Sequence, residues 1–348
     1  MVEFIAGVNP CPAPVCTVCI ANYNGESLLE ACLDSILSQS LYGRLQIIVH
    51  DDASLDGSVA LIKRKYPQVD LLISTQNVGF CVANNRMVDL ARAPYVLLLN
   101  NDAALFPDGV ETLLTMAEAS AQPAVLTLPQ YDWQTGDLVD RGCRLDYFYN
   151  PVPNVEPRHP ELAMTIGACL WAPVTLWRQL GGLPDWMESL GEDLFFCCLA
   201  RLRGARVLVA DQSGYRHWQG KTFGGNKASE GALSTTMRRR RLSERNKTYA
   251  LFVCTPSIAM WAWLTLHLCL LLSEGCILAL LKRDLAILTG IYLPVPVALL
   301  KNRAMLMDYR SQVSQQRSLS LHAYFSAFTW IPRKLSMLFR YGIPHIGK

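Results

Sequence analysis

The stretch Tyr95-Val96-Leu97-Leu98-Leu99-Asn100-Asn101-Asp102 is an apolar strand that empties into three polar residues. A short, continuously apolar run of this kind fits a strand buried on both faces, as in a parallel sheet covered by helices. Open sheets of that type bind ligands outside the carboxyl ends of their strands. Asp102 therefore leaves a buried strand where a hard oxygen ligand for Mg²⁺ or Mn²⁺ would be needed. A solvated strand-end turn is the other reading of the same residue.

Residues 15–21, 45–50, 70–74, 125–128 and 207–210 read as further strands, alternating with helix-like stretches. This predicts an α/β domain with a mostly parallel sheet flanked by helices. Ser27 is placed to cap a helix whose Leu28, Leu29, Cys32, Leu33, Ile36 and Leu37 share one face, and Ser58 to start the next. A later helix runs from about Glu192 to Arg203 and stops at Gly204.

Two more strands end in polar clusters, Asn22-Tyr23-Asn24-Gly25 and Asp51-Asp52-Ala53-Ser54-Leu55-Asp56-Gly57-Ser58. Asp56-Gly57-Ser58 also reads as a turn with a helix cap. Asp51 and Asp52 are adjacent carboxylates, which repel unless a ligand, a donor group or water compensates them. A carboxylate at that position can accept from the N–H of a pyrimidine base, and Tyr23 offers a ring for stacking.

Composition narrows the class. The 348 residues suffice for one large domain and an appendage, and a hydrophobic fraction of 51% with mean hydropathy +0.18 points to something besides a soluble core. A net charge of +3 is too small for a phosphate-binding face of nucleic-acid type, so no nucleic-acid partner is expected. The twelve cysteines lie in apolar stretches, which fits a reduced cytosolic compartment. Cys16 and Cys19 have C-x-x-C spacing without a second pair, which favours core packing over zinc. The first twenty residues lack the layout of a secretory signal.

Residues 226–247 are polar and basic, and read as a linker or mobile loop. Residues 248–273 hold no Asp, Glu, Lys or Arg, long enough to span a bilayer, with Pro256 near the start. A second apolar run, 285–300, is short, contains Pro294 and Pro296, and follows Lys282, Arg283 and Asp284. A membrane hairpin would place the basic residues 238–241, Lys301 and Arg303 on the cytoplasmic side. The charged joint and the short second run favour helices lying in the interface, and a buried helical subdomain is the third reading. From Ser318 onwards aromatics mix with Arg333, Lys334 and Arg340, as in membrane-surface helices. The expected division is a catalytic domain over 1–225, a basic linker or loop over 226–250 and a membrane-associated helical region over 251–348, at the cytoplasmic face of the cell membrane.

Taken in order, Ile20-Ala21-Asn22-Tyr23-Asn24, the stretch 49–58, Asn77-Val78-Gly79-Phe80 with Asn84-Asn85, Leu99-Asn100-Asn101-Asp102, Gly181-Gly182-Leu183-Pro184-Asp185, Gly191-Glu192-Asp193 and His217-Trp218-Gln219-Gly220 resemble the motif series of inverting family 2 glycosyltransferases with the GT-A fold. The match covers about 200 residues, and its specificity lies in order and spacing. The resemblance implies that Asp52, with Asp51 beside it, contacts the nucleobase of a nucleotide-sugar donor. It adds Ala21, Tyr23, Asn24, Gly79, Asn85, Asn101, Trp218 and Lys221 as substrate-binding residues. Asp102 would bind the Mg²⁺ or Mn²⁺ that bridges the diphosphate, His217 would approach from the far side, and Asp193, ahead of Glu192, would be the general base. The sequence departs from the pattern at Asn100, where the metal motif often opens with Asp, and at Leu194-Phe195-Phe196, where many relatives carry another acid.

The segment ending in Arg245-Asn246 resembles the one that joins catalytic domain to membrane helices in rhamnosyltransferase-like relatives. The expected function is transfer of a sugar from a UDP or dTDP donor, rhamnose by subgroup resemblance, to a lipid-linked (polyprenyl) or cell-envelope glycan acceptor. A nucleotidyltransferase would need a Gly-rich basic loop after the first strand, and Asn22-Tyr23-Asn24-Gly25-Glu26 has one glycine and no base. A non-catalytic, membrane-bound nucleotide-sugar-binding module would not need Asp102, Asp193 and His217 together.

Overall fold

A computed structural model describes residues 2–157, 159, 161–218, 228–229 and 232–347. It separates into two compact units, one of Met1–Cys143, Pro153–Ser189 and Ala205–Trp218, the other of Arg144–Val152, Leu190–Gly204 and Gln219–Lys348.

The first fourteen strands in chain order are β1 (Val2–Ile5), β2 (Cys16–Asn22), β3 (Leu45–Asp51), β4 (Asp70–Ser74), β5 (Tyr95–Leu99), β6 (Ala103–Leu105), β7 (Ala124–Thr127), β8 (Gln130–Asp132), β9 (Leu138–Asp140), β10 (Cys143–Asp146), β11 (Pro151–Pro153), β12 (Cys169–Pro173), β13 (Arg206–Val209) and β14 (Tyr215–His217). In the first unit an eight-stranded sheet has the order β1-β4-β3-β2-β5-β12-β7-β13. Its centre, β4-β3-β2-β5, is parallel, whereas β1 and β12 run antiparallel to their neighbours. The sheet is thus mixed, because β12 enters between β5 and β7. A second sheet has the order β6-β14-β8-β9.

Helices α1 (Glu26–Leu37), α2 (Ser58–Lys65), α3 (Phe80–Asp89), α4 (Gly109–Ala119) and α5 (Val174–Leu180) accompany the large sheet. α1 buries Leu29, Cys32, Leu33 and Ile36 in one cluster with Val18, Ile47, Val49, Leu97 and Leu99. Fully burying each such side chain contributes about 1.5–3 kcal/mol, and this cluster holds the strand ends in place. Neither expected serine caps its helix. Gly25 precedes α1 and Gly57 precedes α2. The helix starts satisfy each other instead: Asp56 Oδ2 accepts the Glu26 N–H at 2.9 Å, and Glu26 Oε2 accepts the Gly57 N–H at 3.0 Å. Cys16 and Cys19 are buried on opposite faces of β2, so they pack and do not form a ligand pair.

The second unit contains α6 (Glu192–Leu202), α7 (Met237–Cys254), α8 (Met260–Lys282), α9 (Leu285–Ile287) running through a π turn into α10 (Pro294–Lys301), then α11 (Arg303–Gln315), α12 (Leu321–Phe325) and α13 (Arg333–Tyr341). From Met237 onwards the expected linker is helical, because its polar residues find partners inside the unit. Lys334 bonds Glu244 at 2.8 Å and Glu274 at 2.6 Å, Arg240 bonds Glu274 at 2.5 Å, and Lys247 lies 3.3 Å from Glu244. The apolar run expected over 248–273 is divided at Thr255-Pro256, where the helix cannot continue. Its first part completes α7. α8 is the one described helix that is by itself long and apolar enough to cross a membrane, with mean hydropathy 2.0.

Candidate functional site

Three strand ends of the first unit are tied together by Asn22, at the end of β2. Its Nδ2 donates to Asp51 Oδ1 at 2.9 Å and its Oδ1 accepts from Asn101 Nδ2 at 2.8 Å, which joins β2, β3 and the end of β5. A Cβ on Gly25 would lie 2.2 Å from the Asn101 amide nitrogen and 2.3 Å from Asn22 Oδ1, so the loop after β2 passes this junction only with glycine there. Asp51 also accepts from the Ser54 N–H at 3.0 Å and hydroxyl at 2.7 Å. Asp52 accepts from the N–H groups of Val78 at 2.7 Å and Gly79 at 2.8 Å. The adjacent carboxylates are thus compensated by protein donors. Each still has lone-pair sites for a further donor.

Around this junction Tyr23 is exposed, Ala21 is half-buried, and Asn24 Oδ1 accepts the Leu55 N–H at 2.7 Å. Asn85 is turned to other work: its amide bonds Leu183 twice and Asp185 once, fixing the Gly-Gly-Leu-Pro-Asp turn. Gly79 has φ +85° immediately before α3.

Asp102 emerges between β5 and β6, and His217 ends β14, which pairs with β6 so that His217 faces Ala103. His217 Nε2 is 3.1 Å from Asp102 Oδ1. On the other side of the ring, Nδ1 is 3.3 Å from Gln130 Oε1, which also accepts the Tyr215 hydroxyl at 2.7 Å. An amide oxygen only accepts, so Nδ1 carries the proton. In the neutral ring the Nε2 lone pair then faces the Asp102 carboxylate, an arrangement that a proton or a cation must bridge. A separation of 3.1 Å suits two adjacent ligands of an octahedral ion, which at bonds of about 2.1 Å lie about 3.0 Å apart. Among the described residues no group of three His, Cys, Asp or Glu forms a metal cluster. A pair of protein ligands fits Mg²⁺ or Mn²⁺, which take water and phosphate oxygens readily, better than it fits zinc.

A family model, Glycosyl transferase family 2, matches residues 17–165, the segment that carries Asn22, Asp51, Asp52 and Asp102. Residues 17–165 form a family 2 glycosyltransferase domain. The chain is 36% identical over 104 residues to the uncharacterized glycosyltransferase YibD of Escherichia coli (strain K12), covering 29% of this chain and 30% of that protein. It is 29% identical over 205 residues to the poly(ribitol-phosphate) beta-glucosyltransferase of Bacillus spizizenii, 57% of this chain and 31% of the relative. The matches thus span about a third of the length of these relatives. In fold the chain is similar to GalNAc-T7, solved with UDP, GalNAc and Mn²⁺, with TM-score 0.54 at 16% identity, over 71% of this chain and 52% of that one. The fold is GT-A.

The two carboxylates expected for base chemistry belong to the second unit. Glu192 and Asp193 open α6, after Leu190 at φ +72° and Gly191 at φ +98°. A leucine in that conformation costs of order 1 kcal/mol, and strain of this kind gathers at functional sites. The turn is held by Asn246 of α7, whose buried amide donates to the Leu190 carbonyl at 2.8 Å. Asp193 Oδ1 accepts the Leu194 N–H at 2.7 Å. Glu192 is buried and its Oε2 has no partner among the described residues. Burial, then the Asp193 charge, push its carboxyl up to about 8, against the pull of hydrogen bonds and Arg239.

Trp218 follows His217, and its N–H bonds the Asp102 carbonyl at 3.0 Å. Lys221 lies outside the described residues. Sequence reasoning missed three contributors to the family 2 domain. Asn22 reads only as one member of the polar cluster that ends its strand, Ser54 only as part of a motif, and Gln130 carries no signal at all, since a lone glutamine after Pro129 has no spacing to read.

Proposed function

We propose that this chain is an inverting glycosyltransferase that moves a sugar from a UDP or dTDP donor to an acceptor hydroxyl. The observation that carries this is the Asp102–His217 pair, with its tautomer set by Gln130, at the strand-end rim of the first unit, whose residues 17–165 match the family 2 model. Asp52 and Asp51 receive the base and Tyr23 stacks on it. A Mg²⁺ or Mn²⁺ ion held by Asp102 and His217, when bound, neutralises charge on the departing diphosphate. The acceptor oxygen bonds the anomeric carbon as the bond from that carbon to the diphosphate oxygen breaks. The hydroxyl proton passes to Asp193, and the bonding electrons leave with the nucleoside diphosphate. One displacement with no enzyme nucleophile inverts the anomeric centre. Glu192, held protonated near neutral pH, leaves Asp193 as the base.

The acceptor reading is a lipid-linked or cell-envelope glycan, with the second unit on the cytoplasmic face of the membrane. It is supported by exposed apolar side chains on α8 (Leu270, Ile277, Leu280 and Leu281) and by Leu335, Leu338 and Phe339 beside Arg340 on α13. Glu274, within α8, is bonded to Arg240 of α7 and Lys334 of α13. A helix that turns a charge towards its own unit while exposing leucines elsewhere suits the interface better than a lone crossing.

Turnover of UDP-glucose, UDP-N-acetylglucosamine, dTDP-glucose and dTDP-rhamnose, with Mn²⁺ or Mg²⁺ and the product anomer read by NMR, tests this function. Asp193→Asn is expected to lower kcat by about 10²–10⁴-fold while leaving donor Kd unchanged. Undiminished kcat would remove Asp193 from its role, and a retained anomeric configuration would sink the single-displacement mechanism.

A further inference from the structure

Beside the Asp102–His217 pair stands an aromatic arrangement of which the expectations above name only Trp218. Trp133 and Trp218 have ring centroids 5.6 Å apart with planes inclined by 30°. Both are half-buried. Trp218 is tied to the Asp102 strand through its N–H. Trp133 begins the β8–β9 turn directly after Asp132, the residue opposite His217 in the ladder. The turn is firm at its base: Asp132 Oδ1 accepts the N–H groups of Gln134 and Thr135, each at 2.9 Å, and Tyr131 stacks on Phe106 at 5.4 Å. Residues 134–138 are exposed, so two indoles stand where the chain is otherwise turned to water. Large aromatic surface held half-open on a rigid turn is a binding feature more often than a folding one.

The topology says which part of the donor or acceptor this pair would meet. In the large sheet β3 and β2 lie on one side of β5, and β12 and β7 on the other. β8 follows β7 in the chain and reaches β6 only across β14. Trp133 is therefore on the far side of the Asp102 strand from Asp51, Asp52 and Tyr23. With the nucleoside on the β2–β3 side and the diphosphate at Asp102, the saccharide end points to the β7–β8 side.

We infer that Trp133 and Trp218 form a stacking platform for a pyranose ring, built beside the Asp102–His217 pair on the side away from the nucleoside. This rests on the proposed glycosyl transfer and assigns the platform to Trp133, a residue outside the family motif series. The C–H face of a pyranose packs on an indole as other apolar surface does, while its hydroxyls stay hydrated at the edge. The ring belongs either to the donor sugar or to the acceptor, and the two sources give different results.

Calorimetric Kd values for UDP, UDP-glucose, dTDP and dTDP-rhamnose with Mn²⁺, and saturation-transfer NMR with cellotetraose and chitotetraose, are compared for the wild type, Trp133→Ala and Trp133→Phe. Trp133→Ala is expected to weaken a sugar-bearing probe about tenfold while the Kd of the bare nucleotide is unchanged, and Trp133→Phe to restore most of the affinity. A loss confined to the nucleotide sugars assigns the platform to the donor, and one confined to the tetrasaccharides to the acceptor. Equal affinity of the wild type and Trp133→Ala for every probe, with nucleotide binding intact, overturns the platform alone. Failure of the wild type to bind any nucleotide overturns the glycosyltransferase reading instead, and the tetrasaccharide signals then decide the platform separately.

Discussion

Replacing Glu192 with glutamine should make the protein more stable in alkali. In the folded chain this carboxyl is buried, its Oε2 has no partner among the described residues, and its pKa stands at about 8 against an ordinary 4.5. Between those values the folded form keeps a proton that the unfolded form has released. The folded state thus binds more protons, and its stability falls as pH rises through the window. The gap between 4.5 and about 8 at 1.36 kcal/mol per decade sets a ceiling of about 5 kcal/mol, complete above pH 8. Half of it, about 2.5 kcal/mol after relaxation and water entry, corresponds to about 5–10 °C in Tm. Thermal melts of the wild type and Glu192→Gln from pH 4.5 to 9 should agree at the acid end and separate steadily, with the variant higher. Because the Asp193 charge contributes to the rise, Asp193→Asn should narrow the separation. Parallel melting curves across the range, or a wild type that gains on the variant with rising pH, would refute the burial argument.

Asp52→Ala removes the acceptor of the Val78 and Gly79 N–H groups, at about 1–3 kcal/mol for each donor left unpaired, so chemical denaturation should show a loss of about 2–6 kcal/mol. Nucleotide affinity should fall with it, and a variant as stable as the wild type would show that those bonds are made equally well to water. For the second unit, Leu338→Glu with Phe339→Glu on α13 should release the full chain from vesicles of phosphatidylglycerol and phosphatidylcholine in a flotation assay, and the wild type should dissociate as salt is raised. Flotation unaffected by both the substitutions and the salt would exclude α13 as a surface contact.

Much of the large sheet was legible because its strands obey simple rules. β4 and β5 fall where their β-rich runs place them, and β2, β3, β7 and β13 are displaced by no more than about one residue at an end. The strand-end rule led directly to Asp51, Asp52 and Asp102. Where the reading missed, the partners are distant in sequence. Ser27 looked like a cap, but the α1 start is satisfied by Asp56 from another loop. The first part of α7, residues 237–247, reads as a linker or loop because helical periodicity is sought in apolar residues, whereas this helix buries Glu244, Asn246, Lys247 and Thr248 and pairs them. The antiparallel β12 lay hidden in Cys169-Leu170-Trp171-Ala172, where no turn signal announces a strand returning between two others. Gln130 reaches His217 across 87 positions, and no local pattern encodes that contact.

The central claim is that a divalent cation held by Asp102 and His217 links the nucleotide to the first unit. Its most direct test is the affinity of UDP and dTDP measured by calorimetry with Mn²⁺ and with chelator, for the wild type and Asp102→Ala. Mn²⁺ should tighten binding by about tenfold or more in the wild type, a gain of about 1.4 kcal/mol, and by nothing in the variant. Equal tightening in both proteins, or nucleotide binding in the wild type that chelator leaves untouched, would contradict it.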